Sequence, residues 1–207
     1  MLKLGILVSG GGTNLQAIID KIDSGYLDGC VITTVVSSKV GVFALKRAEN
    51  HNISAICISI KDFACVEDYD EALISHFKKH DVELVVLAGF LSMLGEAFVN
   101  VYKDRIINIH PSLIPSFCGK GYYGIIPHRR ALEYGVKVTG ATVQFVDLEY
   151  DSGPIILQKA VGVRNDDTPE SLQRRVMEEA EWEILPEAIK LYSEGRLIIE
   201  GRKVRII

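Results

Sequence analysis

Leu4-Gly5-Ile6-Leu7-Val8-Ser9-Gly10-Gly11-Gly12-Thr13-Asn14-Leu15-Gln16-Ala17-Ile18 is the stretch on which the reading of the fold turns. An apolar run without polar alternation enters three glycines, and a helical pattern starts directly after them. Leu4 to Val8 reads as a buried strand and Asn14 to Ile22 as a helix. Glycines let a backbone approach an anion, and the unpaired amides and dipole of a helix N-terminus favour phosphate there. Thr13 and Asn14 add side-chain donors. The same residues also suit a tight strand-to-helix turn with no ligand. A dinucleotide fits less well. The third glycine of G-x-G-x-x-G would fall on Leu15, and the second strand ends in Ser37-Ser38 instead of an acid for ribose.

The pattern repeats downstream. Val31 to Val36, Ile53 to Ile58, Leu84 to Ala88 and Ile106 to Ile109 read as further strands, and Gly41 to Asn50 and Glu67 to His80 as helices. Strands alternating with helices predict an α/β fold with a doubly wound, mainly parallel sheet and a Rossmann-like N-terminal half. After the Pro/Gly-rich stretch Pro111 to Pro127 the character changes. Val136 to Val146 and Pro154 to Val163 read as two strands joined through Asp147 to Gly153, which predicts antiparallel strands in the C-terminal half. Thr168-Pro169 offers a helix N-cap followed by proline at the first helical position. Leu172, Val176 and Ala180 continue at helical spacing, and Pro186 is expected to kink or split that helix. No repeat or linker interrupts the chain, so a single domain over 1–207 is expected.

Bulk properties narrow the partners. A chain of 207 residues is long enough for a sizeable core, and its formal charge of −4 comes without a basic stripe, which argues against nucleic acid. Arg129-Arg130 and Arg174-Arg175 are only short basic pairs on solvated faces. No apolar stretch has membrane length, and the N-terminal run reads as a first strand instead of a signal peptide. The four cysteines lack C-x-x-C spacing, so free thiols and a cytoplasmic location are expected.

The chemistry concentrates in Ile107-Asn108-Ile109-His110-Pro111-Ser112-Leu113-Ile114-Pro115. In a strand, residues two apart share a face, so Asn108 and His110 project together. An uncharged amide donor beside an imidazole that titrates near neutrality suits a reaction that makes and discharges an oxyanion. A carboxylate reaching His110 would favour imidazolium and orient the ring. Asp151, in Glu149-Tyr150-Asp151-Ser152-Gly153-Pro154, is the best candidate, with turn capping as its alternative role. His76 and His80 stand one helical turn apart, yet Phe77-Lys78-Lys79 supplies no carboxylate, so an exposed helix face is expected instead of a metal site. His128 is read as a surface residue or a substrate contact.

Together these residues resemble the phosphoribosylglycinamide formyltransferase family of purine-pathway enzymes. The signposts are Ser9 to Ile18, Val86-Leu87-Ala88-Gly89-Phe90, Asn108-Ile109-His110-Pro111-Ser112-Leu113-Ile114-Pro115 and Asp151-Ser152-Gly153-Pro154-Ile155-Ile156. The resemblance implies formyl transfer from 10-formyltetrahydrofolate, as co-substrate, to the amine of glycinamide ribonucleotide, with no metal and with small molecules as the only partners. It implies a monomer or homodimer. Asn108, His110 and Asp151 would be catalytic; Gly12, Thr13, Asn14 and Glu181 would bind the ribonucleotide. Leu91, Ser92, Met93, Leu94, Asn108, Gln144, Asp147, Leu148, Glu149, Tyr150 and Asp151 would line the folate pocket. Residues 1–110 would form the phosphate-binding half and 111–207 the folate-pocket and C-terminal helix half.

The chain departs from the family pattern in places. Val66 and Ser92 stand where some members carry arginine, so no ionic folate contact is assigned to either. Gln144 stands where many members have histidine, and it can hydrogen-bond but cannot titrate. Cys118 to Pro127 looks longer than in many members. Two alternatives carry the same residues: a formyltetrahydrofolate deformylase, with water replacing the amine, and a non-catalytic phosphate-binding module. The lack of an added N-terminal module disfavours the first, and the lack of a basic C-terminal domain disfavours methionyl-tRNA formyl transfer.

Overall fold

The N-terminal apolar run forms β1 (Leu2–Val8), in which Leu4, Ile6, Leu7 and Val8 are completely buried. The computed structural model describes Met1–Ile207, which divides into two units, Met1–Ile107 and Asn108–Ile207. In the first unit β1 is joined by β2 (Cys30–Ser37), β3 (Ser54–Cys57) and β4 (Leu84–Leu87) in the order β3-β2-β1-β4, every pair parallel. Helices α1 (Thr13–Asp23), α2 (Phe43–Asn50) and α3 (Val66–Lys79) alternate with these strands as expected.

Two helical pieces of the first unit, and the helix Ile126–Tyr134 of the second, lie where no helix was predicted. A single 3-10 turn covers Ile60–Asp62, and α4 covers Glu96–Val101. A six-residue helix shows too little periodicity to be read from sequence, and α4 depends on a cap from elsewhere. The buried Asp70 of α3 accepts from Gly95 N–H at 2.9 Å and Phe98 N–H at 3.0 Å, which satisfies two of the amides that a helix start leaves open. Phe77, Phe98 and Tyr102 pack ring against ring, with centroids 5.0–6.1 Å apart.

β5 (Ile106–His110) begins in the first unit and ends in the second. The second unit then carries α5 (Ile126–Tyr134), β6 (Val138–Phe145) and β7 (Ile155–Gly162). It continues with α6 (Pro169–Val176), α7 (Trp182–Ser193), β8 (Leu197–Glu200) and β9 (Lys203–Ile206). β6 and β7 pair antiparallel, as the turn between them predicts, and the local order is β6-β7-β9-β8. The C-terminal hairpin β8–β9 turns at Gly201, whose φ is 63°. Gly153 closes the β6–β7 connection, and a Cβ there would lie 1.9 Å from the Phe145 carbonyl oxygen, so no larger residue fits.

The helix after Thr168 starts as read. Thr168 Oγ1 accepts from Ser171 N–H, and Ser171 Oγ accepts from Thr168 N–H, closing a capping box. The irregularity assigned to Pro186 falls elsewhere. Pro186 sits inside α7, and the departure is a π-helical turn, Met177–Glu181, between α6 and α7. A proline ring crowds the carbonyl four residues earlier, here that of Trp182, the first residue of α7. The wider turn lies directly N-terminal to that carbonyl. Leu172, Val176, Leu185, Ala188 and Ile189 are fully buried along this run.

Candidate active site

β5 ends on His110 with Asn108 two residues before it, and both side chains reach Asp151. His110 Nδ1 lies 3.5 Å from Asp151 Oδ2, and Asn108 Nδ2 lies 3.5 Å from Oδ1. Two shorter contacts complete the carboxylate: Gly119 N–H donates to Oδ2 at 2.7 Å, and Gln144 Nε2 donates to Oδ1 at 3.1 Å. Four donors thus surround one carboxylate whose side chain is only 11% exposed. The three predicted catalytic residues stand together.

The remaining nitrogen of His110, Nε2, lies 3.0 Å from the Phe117 carbonyl oxygen. His110 therefore faces a carboxylate with one nitrogen and a carbonyl with the other. Both neighbours are acceptors, and a ring nitrogen that carries a proton can donate to either. The cluster holds a carbonyl oxygen against an imidazole nitrogen, the place where an oxyanion would meet a donor.

Local structure fixes this geometry. Thr142 Oγ1 of β6 donates to the Ser112 carbonyl at 2.7 Å and accepts from Ile114 N–H at 3.1 Å, and Gln158 Nε2 of β7 donates to the Ile114 carbonyl at 3.0 Å. The chain leaving β5 is thereby tied to β6 and β7. Phe117 and Asp151 both have φ of 51°, in the left-handed region that costs non-glycine residues about 1 kcal/mol or more. Turn capping, the alternative role for Asp151, falls to Asp147. Its Oδ1 accepts from Glu149 N–H at 3.0 Å and Ser152 Oγ at 2.5 Å. Cys118, between the two backbone contacts, donates its thiol to the Pro115 carbonyl, and burial followed by the charge of Asp151 pushes its pKa up.

His128 is not on the surface. It sits in the first turn of α5, is completely buried, and neither ring nitrogen has a hydrogen-bond partner. Burial first, and the charge of His110 second, push its pKa down to about 4, so it is neutral at physiological pH. The sequence held the cue: Pro127 is a helix-start residue, and His128 and Ala131, three apart, share the inward face. His76 and His80 are likewise half-buried instead of exposed. Their rings stack with centroids 4.3 Å apart, and Thr34 Oγ1 lies 2.8 Å from His76 Nε2. Burial, then His80 and Lys79, lower the His76 pKa.

In the first unit the glycine turn takes the form its composition predicts. Gly12 is the N-cap of α1 with φ of 72°, and a Cβ on it would lie 2.7 Å from Ala44 Cβ. A Cβ on Gly10 or Gly11 would meet nothing within 4 Å, and both residues are exposed. Arg47 of α2 braces the turn, with Nε donating to the Gly11 carbonyl at 2.8 Å and Nη1 to Gln16 Oε1 at 3.0 Å. Ser9 Oγ accepts from Leu91 N–H at 2.8 Å, which ties the segment Leu91, Ser92, Met93, Leu94 to the turn. Thr13 and Asn14 open α1, with Asn14 buried. Leu148 and Tyr150 are each 52% exposed beside Asp147 and Glu149, and Glu181 is buried at the end of the π-helical turn.

A phosphate-type glycine turn and an amide–imidazole–carboxylate cluster holding a carbonyl define a protein built for acyl-type transfer. Residues 2–189 match the formyl transferase family, and the chain belongs to it. It is 39% identical over 196 residues to a phosphoribosylglycinamide formyltransferase of Escherichia coli, covering 95% of this chain and 89% of that one. It is 43% identical over 194 residues to the trifunctional purine biosynthetic protein adenosine-3 of Chironomus tentans. That match covers 93% of this chain but spans only 14% of the relative's length. Among solved structures, glycinamide ribonucleotide transformylase 1 from Symbiobacterium toebii superposes with a TM-score of 0.94 at 42% identity, covering 100% of this chain and 94% of that one. A formyltetrahydrofolate deformylase from Pseudomonas syringae is more distant, with a TM-score of 0.85 at 26% identity, covering 100% of this chain and 66% of that one. No helix of the chain is long and apolar enough to cross a membrane, and no group of three or more His, Cys, Asp or Glu side chains is placed to hold a metal ion.

Proposed function

We propose that this chain transfers the formyl group of 10-formyltetrahydrofolate to the amine of glycinamide ribonucleotide, a step of purine biosynthesis, in the cytoplasm. The observation that carries the reading is the Phe117 carbonyl on His110 Nε2 with Asp151 on Nδ1. The formyl oxygen takes the place of that carbonyl. As the amine attacks the formyl carbon, a C–N bond forms and negative charge builds on the formyl oxygen. Asn108 and protonated His110 donate to it, each contact of this type being worth about 10²–10³ in rate. The bond from the formyl carbon to the folate nitrogen then breaks. The proton lost by the attacking amine passes through Asp151, or a water it orders, to the departing nitrogen.

The remaining roles follow the family pattern. Gly12, Thr13 and Asn14 hold the ribonucleotide phosphate at the start of α1, where backbone amides and the helix dipole favour an anion. Glu181 contacts the glycinamide portion. Leu91 to Leu94 and Asp147 to Asp151 line the folate pocket, chiefly through backbone groups, and Gln144 lies beside them.

The test is to incubate the protein with 10-formyltetrahydrofolate, with and without glycinamide ribonucleotide, and follow tetrahydrofolate release. Release that requires the ribonucleotide is the expected result. Release without it makes the chain a deformylase, and no release makes it a phosphate-binding module.

A further inference from the structure

We propose that Gln144 is the positioning residue of the formyl-transfer centre, holding Asp151 against His110 through a donor that carries no titrating proton. The inference rests on the function proposed above and goes beyond lining a folate pocket. Gln144 is 2% exposed and lies on β6, two residues beyond Thr142 on the same face. The β6–β7 register slips between Val143 and Gln144, where Val143 faces Leu157 and Gln144 faces Ile155. The extra residue of this bulge, Ile156, stands on β7, and Gln144 faces it from β6. Its side chain reaches Asp151: Gln144 Nε2 donates to Oδ1 at 3.1 Å, shorter than the 3.5 Å from Asn108 to the same oxygen.

The amide has one workable orientation. Turning it over would set Oε1 against the carboxylate, acceptor against acceptor. In the observed orientation Oε1 is buried with no donor, so no other protein group holds this amide. A buried acceptor left unpaired is unfavourable, and the orientation is kept because it fixes a donor on Asp151. Asp151 needs such a hold, because its φ of 51° leaves its own backbone strained. The groups facing it are His110, Asn108, Gln144, the Gly119 N–H and the Cys118 thiol. Only the first and last of these titrate. A histidine in place of Gln144 would add a third titrating group, and with it a pH dependence that this chain lacks.

The experiment compares Gln144→Leu, Gln144→His and Gln144→Glu. Removing a hydrogen bond to a charged group of this kind is worth roughly tenfold or more. In Gln144→Leu, kcat is expected to fall about tenfold with the KM for glycinamide ribonucleotide unchanged, and the acid limb of kcat against pH to move to higher pH. A merely structural role would lower thermal stability without moving that limb. Gln144→His keeps a ring donor and is expected to restore most of kcat, adding an inflection near the ordinary histidine range of about 6.5. Gln144→Glu places two carboxylates together and is expected to lose most activity at neutral pH and regain some on acidification. An unmoved acid limb and unchanged kcat in Gln144→Leu overturn the proposal. A second readout is independent of activity. The side-chain amide protons of Gln144, assigned by their loss in Gln144→Leu, are expected to shift in Asp151→Asn; no shift removes the Gln144–Asp151 contact. That readout decides the contact even if the wild-type chain proves to transfer no formyl group.

Discussion

The glycine turn of the first unit and the His110 cluster of the second both use backbone groups for recognition, but they are built in opposite ways. At Gly10 to Gly12 the backbone is shaped by residue type within three positions, and Arg47 and Ser9 only brace it. Around His110 the shape comes from distance. Asp151 lies 43 residues from Asn108 and 32 from Gly119, and the carbonyl on Nε2 belongs to Phe117, a residue whose side chain plays no part in that contact. A turn of the first kind tolerates loss of its braces but not of its glycine. A cluster of the second kind fails at whichever residue joins the most partners.

The largest effect is therefore expected at Asp151. Asp151→Asn keeps the shape but replaces an acceptor of four donors with an amide that can accept on one atom only. It also removes the carboxylate charge that lies 3.5 Å from His110 Nδ1. We expect kcat to fall by about 10³-fold, the scale of losing a transition-state contact and the group that orients it, while the Kd for glycinamide ribonucleotide stays within about twofold. Steady-state kinetics with calorimetric binding measures both. Equal losses in kcat and affinity would mean that the two regions do not divide chemistry from phosphate binding as the comparison holds.

The next largest falls on the other side. Gly12→Ala adds a Cβ 2.7 Å from Ala44 Cβ and 2.8 Å from Ala44 Cα, at a φ of 72°. Strain at φ plus overpacking is expected to cost about 3 kcal/mol of stability and to raise the KM for the ribonucleotide far more than it lowers kcat. Adding Ala44→Gly removes the contact with Ala44 Cβ and leaves the contact with the residue 44 Cα and the φ cost. The double variant should regain part of the stability in a denaturant titration, and no recovery would place the cost in φ and the backbone contact.

What could be read from the sequence follows the same division. β1, the glycine turn and α1 were legible because each depends on residues adjacent in the chain. Asn108 and His110 were legible as a pair because strand geometry fixes i and i+2. Asp151 was reached through the composition of its turn, which Asp147 would have matched equally well, so its partners had to be seen. Nothing in the sequence marks the Phe117 carbonyl or the Gly119 N–H, since every residue has such a carbonyl and nearly every one such an N–H. The helix α4 was missed because its cap, Asp70, comes from 25 residues earlier. His128 reads as a surface residue only if the cue directly before it, the proline that opens α5, is passed over.

His128 gives the smallest and most specific test, because it links the cluster to the stability of the fold. Its ring is buried and neutral, with a folded-state pKa of about 4 against an unfolded value near 6.5. Between those values the unfolded chain binds a proton that the folded chain does not, so stability falls as the pH drops from about 6.5 towards 4. At pH 5 this single group is expected to have cost on the order of 2 kcal/mol relative to pH 7. His128→Leu removes the titrating group together with two ring nitrogens that have no partners. Replacing unpaired polar atoms by an apolar side chain of similar size is nearly neutral or stabilising. We therefore expect His128→Leu to match or exceed the wild type at pH 7 and to lose about 2 kcal/mol less on acidification to pH 5, read from urea unfolding at several pH values. Parallel stability curves for the two proteins would mean that the ring is protonated or finds a partner in solution, and that the inward face of α5 is more open than its burial indicates.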